Sequence, residues 1–316
     1  MKLIKADNII LSQLEYNPRI TDKKLGELCH LSKDSIRYRI KRLENKKVIK
    51  GYSCFIDFTK LGYQAYKIYL KVTLTEEEKI SFKSYLRSFK NTFAFAESKG
   101  NWDFAICFFC KSNTEFHEIE NKVLSKLEGK LRDKRFCSLF NAKIYSPIEH
   151  SNTISMWGEP ENNILDNSDK KIIKALFKNS RASLIDLSKQ TSLNVDTVRT
   201  RMKKLQEKGI IPTLVTLIDH ELLGYTHFKL LISLKNHSKD IEDEITAYFK
   251  ADTNIANYTK AIGSWRFEVE YYVKNYSELE TSLSTIQAKF SNYLKDMEYS
   301  SYSNEEMFAA NELLLE

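Results

Sequence analysis

From Asp7 onward, apolar residues fall at Ile10, Leu11 and Leu14, the spacing of one helical face. Asn17-Pro18 closes that segment, because proline disfavours helix in the residue before it. Thr21 is placed to cap a short second helix with Leu25 and Leu28 inward, and His30-Leu31-Ser32 forms the turn into a third helix capped by Ser32. Along this third helix Ile36, Ile40 and Leu43 make an apolar stripe, while Lys33, Asp34, Arg37, Tyr38 and Lys41 face away from it. Residues 46–52 read as a tight hairpin wing, with Val48 and Ile49 tied to the core.

Beyond the wing the period changes from helical to two. Tyr66, Ile68, Leu70, Val72 and Leu74 alternate with Lys67, Tyr69, Lys71 and Thr73, the pattern of a half-buried strand. An amphipathic helix follows over 77–89, then strands over 92–98 and 102–110 about a turn at 99–101, a helix over 114–127, and a strand ending near Tyr145. This βαββαβ order predicts a ferredoxin-like sheet with both helices on one face. The other face needs cover, which stacking of two such sheets would supply.

The chain repeats itself. A shift of 162 residues places Asp7, Leu14, Asn17, Arg19, Leu25 and Leu31 on Asp169, Leu176, Asn179, Arg181, Leu187 and Leu193. Asp34, Arg37, Arg39, Lys41 and Leu43 fall on Asp196, Arg199, Arg201, Lys203 and Leu205, and one further residue of slip aligns Gly100-Asn101-Trp102-Asp103-Phe104 with Gly263-Ser264-Trp265-Arg266-Phe267. In the second copy Asn194 is the expected cap, Val198, Met202 and Leu205 the buried stripe, and Val195, Asp196, Arg199, Thr200 and Lys203 the outer face. Strands are expected at 226–234, 255–262, 265–273 and 297–304. The fold class is therefore α+β: two winged helix-turn-helix domains (1–56 and 168–216), each followed by a ferredoxin-like domain (57–147 and 217–316), with a linker at 148–167. Trp157 is the apolar exception in that linker, either pinned to a domain or left exposed.

Charge sharpens this picture once it is located. The net charge is +7, but residues 1–52 alone carry +7 and residues 168–213 another +7, so the remainder is acidic by the same amount. Two basic segments on an acidic scaffold are the footprint of two phosphate-binding modules. Lys33, Asp34, Arg37, Tyr38 and Lys41 are the candidates for one major groove of double-stranded DNA, and Asp196, Arg199, Thr200 and Lys203 for the next. Lys46, Lys47, Lys50 and Lys208 are expected on phosphates. Lys33 becomes Val195 and Tyr38 becomes Thr200, so the two modules should prefer non-identical half-sites. A sensor or scaffold that had lost DNA readout would have little reason to keep Arg37, Arg39, Lys41, Arg199, Arg201 and Lys203.

Five cysteines without framework spacing fit reduced thiols, and Cys107-Phe-Phe-Cys110 lies in a strand where residues three apart point to opposite faces, so it reads as core rather than metal site. No segment has the apolar length of a signal peptide or membrane span, so a cytoplasmic protein is expected. The residues point to no metal and no cofactor.

Taken together, Asp7-x-x-Ile10-Leu11, Asn17-x-Arg19, Leu31-Ser32, Arg37-Tyr38-Arg39-Ile40-x-x-Leu43-Glu44, Val48-Ile49-Lys50-Gly51-Tyr52, Leu61-Gly62-Tyr63 and Gly100-Asn101-Trp102-Asp103-Phe104 resemble the leucine-responsive regulatory protein/AsnC family of transcription regulators. The resemblance implies assembly through paired sheets and an amino-acid effector bound near the glycine turn, here Gly100, Asn101, Trp102 and Asp103. Ordinary members carry one unit and pair between chains; this chain resembles a covalent pseudo-dimer, acting as a monomer or pairing again as a homodimer. It departs from the family pattern at Arg266, which stands where the first copy has Asp103, and at Pro212 in the second wing. A second reading stays open, because the same build occurs in siroheme decarboxylase-type enzymes. The candidates for such chemistry are His30, His117, His150, His220, His227 and His237, none of them clustered in sequence or at metal-ligand spacing.

Overall fold

The computed structural model describes residues 4–148, 153–236 and 238–307. The first half runs α1 (Lys5–Glu15), α2 (Asp22–Cys29), α3 (Lys33–Asn45), β1 (Ile49–Cys54), β2 (Gln64–Val72), α4 (Glu76–Arg87), β3 (Thr92–Gly100), β4 (Phe104–Cys110), α5 (Asn113–Ser125) and β5 (Leu131–Ile144). After a short β6 (Ile154–Met156) the order recurs as α6 (Asn167–Asn179), α7 (Leu184–Thr191), α8 (Val195–Glu207), β7 (Leu214–Ile218), β8 (Thr226–Leu234), α9 (Lys239–Ala251), β9 (Ile255–Gly263), β10 (Phe267–Val273), α10 (Tyr276–Phe290) and β11 (Leu294–Met307). These elements form two compact units, and each unit takes one part from each half: 1–57 with 145–154 and 163–225, and 58–144 with 155–162 and 226 onward.

In the first unit the three-helix modules fold as their caps dictate. Thr21, Ser32, Ser183 and Asn194 accept backbone N–H groups at the starts of α2, α3, α7 and α8, and His30 and Ser192 take the left-handed conformation that ends the preceding helix. Ile10, Leu11, Leu14, Leu25, Ile36, Ile40 and Leu43 close the core of the first module. Leu28, expected inside, is exposed. The buried face of α2 is instead centred on Leu25 and Gly26, where a Cβ on Gly26 would stand 2.6 Å from the Leu31 carbonyl oxygen.

The hairpin wing is not formed. After α3, Lys47 turns through a positive φ and the chain continues as a single strand, β1, which pairs antiparallel with β7 of the second half (Tyr52 opposite Thr216, Cys54 opposite Leu214). One strand per half has no partner of its own, and the duplicate supplies it. Two arginines at equivalent positions tighten this joint. Arg19 donates to the Ser180 and Ala182 carbonyl oxygens, both at 2.7 Å, and Arg181 donates to the Pro18 carbonyl at 2.9 Å and to Asp22 at 3.1 Å.

In the second unit each half contributes a four-stranded antiparallel sheet in ferredoxin-like order, β5-β2-β4-β3 and β11-β8-β10-β9. The sheets do more than stack. Edge strand β3 pairs with β11, and β5 with β9, so eight strands close into a ring with no free edge between the halves. Helix-side residues such as Ile68, Phe104, Ile106, Phe108 and Cys110 pack beneath α4 and α5. The alternate residues turn into the barrel, which corrects the expectation of a half-buried strand: Lys67 and Tyr69 are as enclosed as their apolar neighbours. Cys107 and Cys110 do point to opposite faces, and burial raises both thiols to about 12. Trp157 is pinned, its ring edge-on to Phe93 and Phe109.

The ring closes so tightly that two positions need glycine. At Gly100 (φ +132) a Cβ would lie 2.9 Å from the Tyr299 carbonyl oxygen, and at Gly263 (φ +138) 2.7 Å from that of Phe136. The barrel interior is also charged. Lys67 Nζ lies 3.0 Å from Glu268 Oε2, Lys229 pairs with Glu270 and stands 3.5 Å from Glu268, and Cys137 and the Trp265 indole both donate to Glu268 Oε1. Burial pushes both carboxyls up, but the neighbouring lysines more than offset it and hold Glu268 below, and Glu270 well below, the ordinary value.

Two outcomes are expected. Gly100→Ala and Gly263→Ala should each cost about 2 kcal/mol or more in denaturant unfolding, the left-handed penalty plus a backbone collision. Gly129→Ala, at φ +74 with open space around it, should cost only the first part; equal losses at all three would refute the close-approach argument. Because Glu268 and Glu270 titrate lower in the folded chain than their ordinary 4.5, their stabilisation is complete above that pH and drains as pH falls through the folded values. Calorimetric melting temperatures should therefore drop steeply below about pH 4.5, and less steeply in a Glu270→Gln, Lys229→Met variant.

Candidate nucleic-acid interface

Helices α3 and α8 each bury one apolar stripe and expose the face opposite it. Lys33, Asp34, Arg37, Tyr38 and Lys41 are all exposed, Tyr38 by 69%, although large aromatics normally seek cover. Asp196, Arg199, Thr200 and Lys203 are exposed at the equivalent places on α8. Lys46, Lys47 and Lys50 follow α3 on the surface, and Lys208 caps the end of α8. Lys33, Lys41, Lys46 and Lys47 have no ion-pair partner among the described residues.

The arginines divide into two kinds that helical spacing did not separate. Arg39 and Arg42 turn inward onto Asp7, which is fully buried, at 3.1 and 2.6 Å. Arg201 likewise binds Asp166 at 2.6 Å and Asp169 at 2.9 Å. Arg39 and Arg201 are therefore removed from the outward cationic face; their work is to tie the third helix of each module to the first. Arg37 and Arg199 remain outward, each resting on a carboxylate: Arg37 on Asp22 at 2.9 Å, and Arg199 on Asp196 at 2.5 Å.

Asp22 receives Arg181 as well, so the guanidinium of Arg37 is oriented by a residue that also holds the second module. Around it Arg19, Lys23, Lys33, Arg37 and Arg181 line an open cleft with Asp22 as its carboxylate. Sequence spacing could not find this contact, because Asp22 lies 15 residues from Arg37 and 159 from Arg181. Lys50 pairs with Asp219 at 2.8 Å and lowers its acid, burial notwithstanding, and Lys208 donates to Asn163 at 3.0 Å.

The glycine turn in the second unit is less open than the sequence suggested. Gly100 and Asn101 are exposed, but Trp102 is buried with its indole N–H on Glu298 at 3.0 Å. Asp103 accepts from the Val72 backbone at 2.9 Å and pairs with Lys71 at 3.2 Å. The second turn differs: Arg266 extends to Glu242 on α9. Of the six histidines, His30, His117, His220 and His227 stand apart, on a helix end, an exposed helix, beside Glu15 and inside the barrel. His150 and His237 lie outside the described residues. Among those described, no group of side chains is arranged to hold a metal, and no helix is long and apolar enough to cross a membrane.

The geometry defines a class: a doubled winged helix-turn-helix protein with paired ferredoxin-like domains. A family model for winged helix-turn-helix DNA-binding domains matches residues 5–50 and again 165–211. The HTH-type transcriptional regulator FL11 of Pyrococcus horikoshii is 31% identical over 128 residues, which is 39% of this chain and 80% of that protein. LrpC of Bacillus subtilis is 29% identical over 126 residues, 40% of this chain and 84% of its own length. The chain belongs to the Lrp/AsnC family of transcription regulators, in a tandem form. Among solved structures, the siroheme decarboxylase NirDL overlays 98% of this chain and 96% of its own with a TM-score of 0.64, at 11% identity. That likeness is one of fold.

The inward arginines generate a stability prediction. Asp7→Ala should lower the unfolding free energy by about 2–3 kcal/mol, since it deprives two guanidinium groups of a fully buried partner. Asp169→Ala should cost less, because Asp169 is partly exposed and Asp166 still holds Arg201. Denaturant melts of the two variants decide it, and the reverse order would contradict this account.

Proposed function

We propose that this chain is a sequence-specific regulator of transcription that places α3 and α8 in successive major grooves of one DNA duplex, a covalent pseudo-dimer. The observation that carries the reading is the doubled outward face: two capped helices in one unit, tied together by the β1–β7 ladder and the Arg19 and Arg181 clamps, with Lys33, Arg37, Tyr38 and Lys41 exposed on one and Arg199, Thr200 and Lys203 on the other. On DNA, Arg37 leaves Asp22 and Asp34, the latter 3.7 Å away, and Arg199 leaves Asp196, for guanine edges or phosphates, so that Asp34 and Asp196 become free to accept from cytosine amines. Lys46, Lys47, Lys50 and Lys208 neutralise phosphates and fix register. Lys33 against Val195 and Tyr38 against Thr200 make the two half-sites unequal.

Control by a small effector is part of the same reading. Lys71 and Asp103 form a partly exposed ion pair beside Gly100 and Asn101, and the zwitterionic end of an amino acid presents the same two charges. Trp102 supports this rim from inside rather than touching the ligand. In the decarboxylase reading a large anionic tetrapyrrole would need room, whereas the barrel interior is filled by Tyr69, Trp102, Trp265 and Tyr302.

Fluorescence anisotropy on duplex DNA across a salt series tests the proposal. Log affinity should fall steeply with log salt, and Arg37→Glu with Lys41→Glu should weaken binding more than about tenfold while making the slope shallower by about two. A salt-independent response, or a double variant that binds as wild type, would rule the reading out.

A further inference from the structure

The barrel encloses charges that the two halves do not share equally. Lys67 on β2 and Lys229 on β8 occupy equivalent positions and both reach Glu268. The two central carboxylates, Glu268 and Glu270, come from β10 alone; the matching residues on β4 are Ala105 and Cys107. A second asymmetry is independent of the first. Arg135 on β5 and Glu298 on β11 are equivalent positions, and they meet each other at 2.5 Å beside the Trp102 ring. Two equivalent positions can meet only across the pseudo-twofold axis that relates the halves.

We propose that these side chains are a pairing code: the inner face of each half-barrel is a docking surface for the other half and rejects a copy of itself. The first half brings two cations, Lys67 and Arg135, and no carboxylate to this set; the second brings Lys229 with Glu268, Glu270 and Glu298. Joined, the set is neutral. Two first halves would enclose four cations with Arg135 facing Arg135, and two second halves would leave four uncompensated carboxylates with Glu298 facing Glu298. Like charges, buried at Lys67 or at Glu268 and Glu270 and partly exposed at Arg135, disfavour both self-pairings, which is how specificity is built when the backbone edges are indifferent to identity. The two edge ladders, β3–β11 and β5–β9, are such edges, since their backbone bonds carry no sequence information.

The test starts from the intact chain carrying a protease site at the exposed Glu159-Pro160, prepared in light and heavy isotopic forms, cut while folded, then unfolded and refolded as a mixture. Native mass spectrometry counts the pairs. First-with-second pairs should exceed about nine tenths, where indifferent halves would give about one half. Replacing Lys67, Arg135 and Lys229 with Met, and Glu268, Glu270 and Glu298 with Gln, should let self-pairs rise toward the indifferent share. Self-pairs at that share in the wild type overturn the code. Should the cut halves not re-pair, the uncut chain decides: Glu298→Arg should lower the melting temperature, and adding Arg135→Glu should restore it. A double variant melting no higher than Glu298→Arg alone also overturns it.

Discussion

Everything in this molecule depends on unpaired strand edges finding partners in the duplicate half. A four-stranded ferredoxin-like sheet leaves two edges and one bare face, and a winged module with a single strand leaves that strand without a ladder. Here the second half answers each need: β1 takes β7, β3 takes β11, and β5 takes β9. Main-chain hydrogen bonds are satisfied between halves that need not recognise each other's side chains. Closure also explains Gly100 and Gly263, which sit where a ladder from the other half passes within van der Waals range of the backbone.

Closing a sheet into a ring creates an interior, and an eight-stranded barrel is just wide enough for side chains to fill. Filling this one with ions looks uneconomical, since a buried ion pair gains little over a well-packed apolar pair. The network is tolerated because each carboxylate is met: Glu268 by two lysines, a thiol and an indole, and Glu270 by Lys229, with the His227 ring 3.4 Å away. What such a network provides beyond stability is discrimination, because an apolar interior would accept either half.

Much of this was legible in the sequence. The repeat, the capped helices, the βαββαβ order and the apolar stripes of α3 and α8 all follow from periodicity and cap residues, because those signals are local. What failed was non-local. The wing reads as a hairpin because Gly51 and the lysines around it suit a turn, yet the partner strand lies in the other half of the sequence. Arg39 and Arg37 are both cationic positions on one helix, and only the burial of Asp7 separates the structural arginine from the outward one. Lys67 alternates with apolar residues as a solvent-facing lysine would, and nothing near it signals that Glu268, two hundred residues later, encloses it. Gly100 read as a turn near a ligand, while its tightest constraint is the backbone of β11 beside it.

Duplication within one chain changes what selection can do with each half. In a protein built from two identical subunits, any substitution appears on both sides of the twofold axis, so an arginine placed at the axis meets another arginine. Once the copies are joined, position 135 can be arginine while its equivalent 298 is glutamate, and that pair is open only to a molecule whose halves differ. The same freedom reaches the exposed faces of α3 and α8, where Lys33 and Tyr38 have no counterparts at Val195 and Thr200. Asymmetry in the outer helices has a defined meaning only if the first half is always paired with the second, for otherwise a mixture of pairings would present a mixture of surfaces. The unequal barrel charges and the unequal helix faces are thus two consequences of one event, and the first is what lets the second specify a single arrangement.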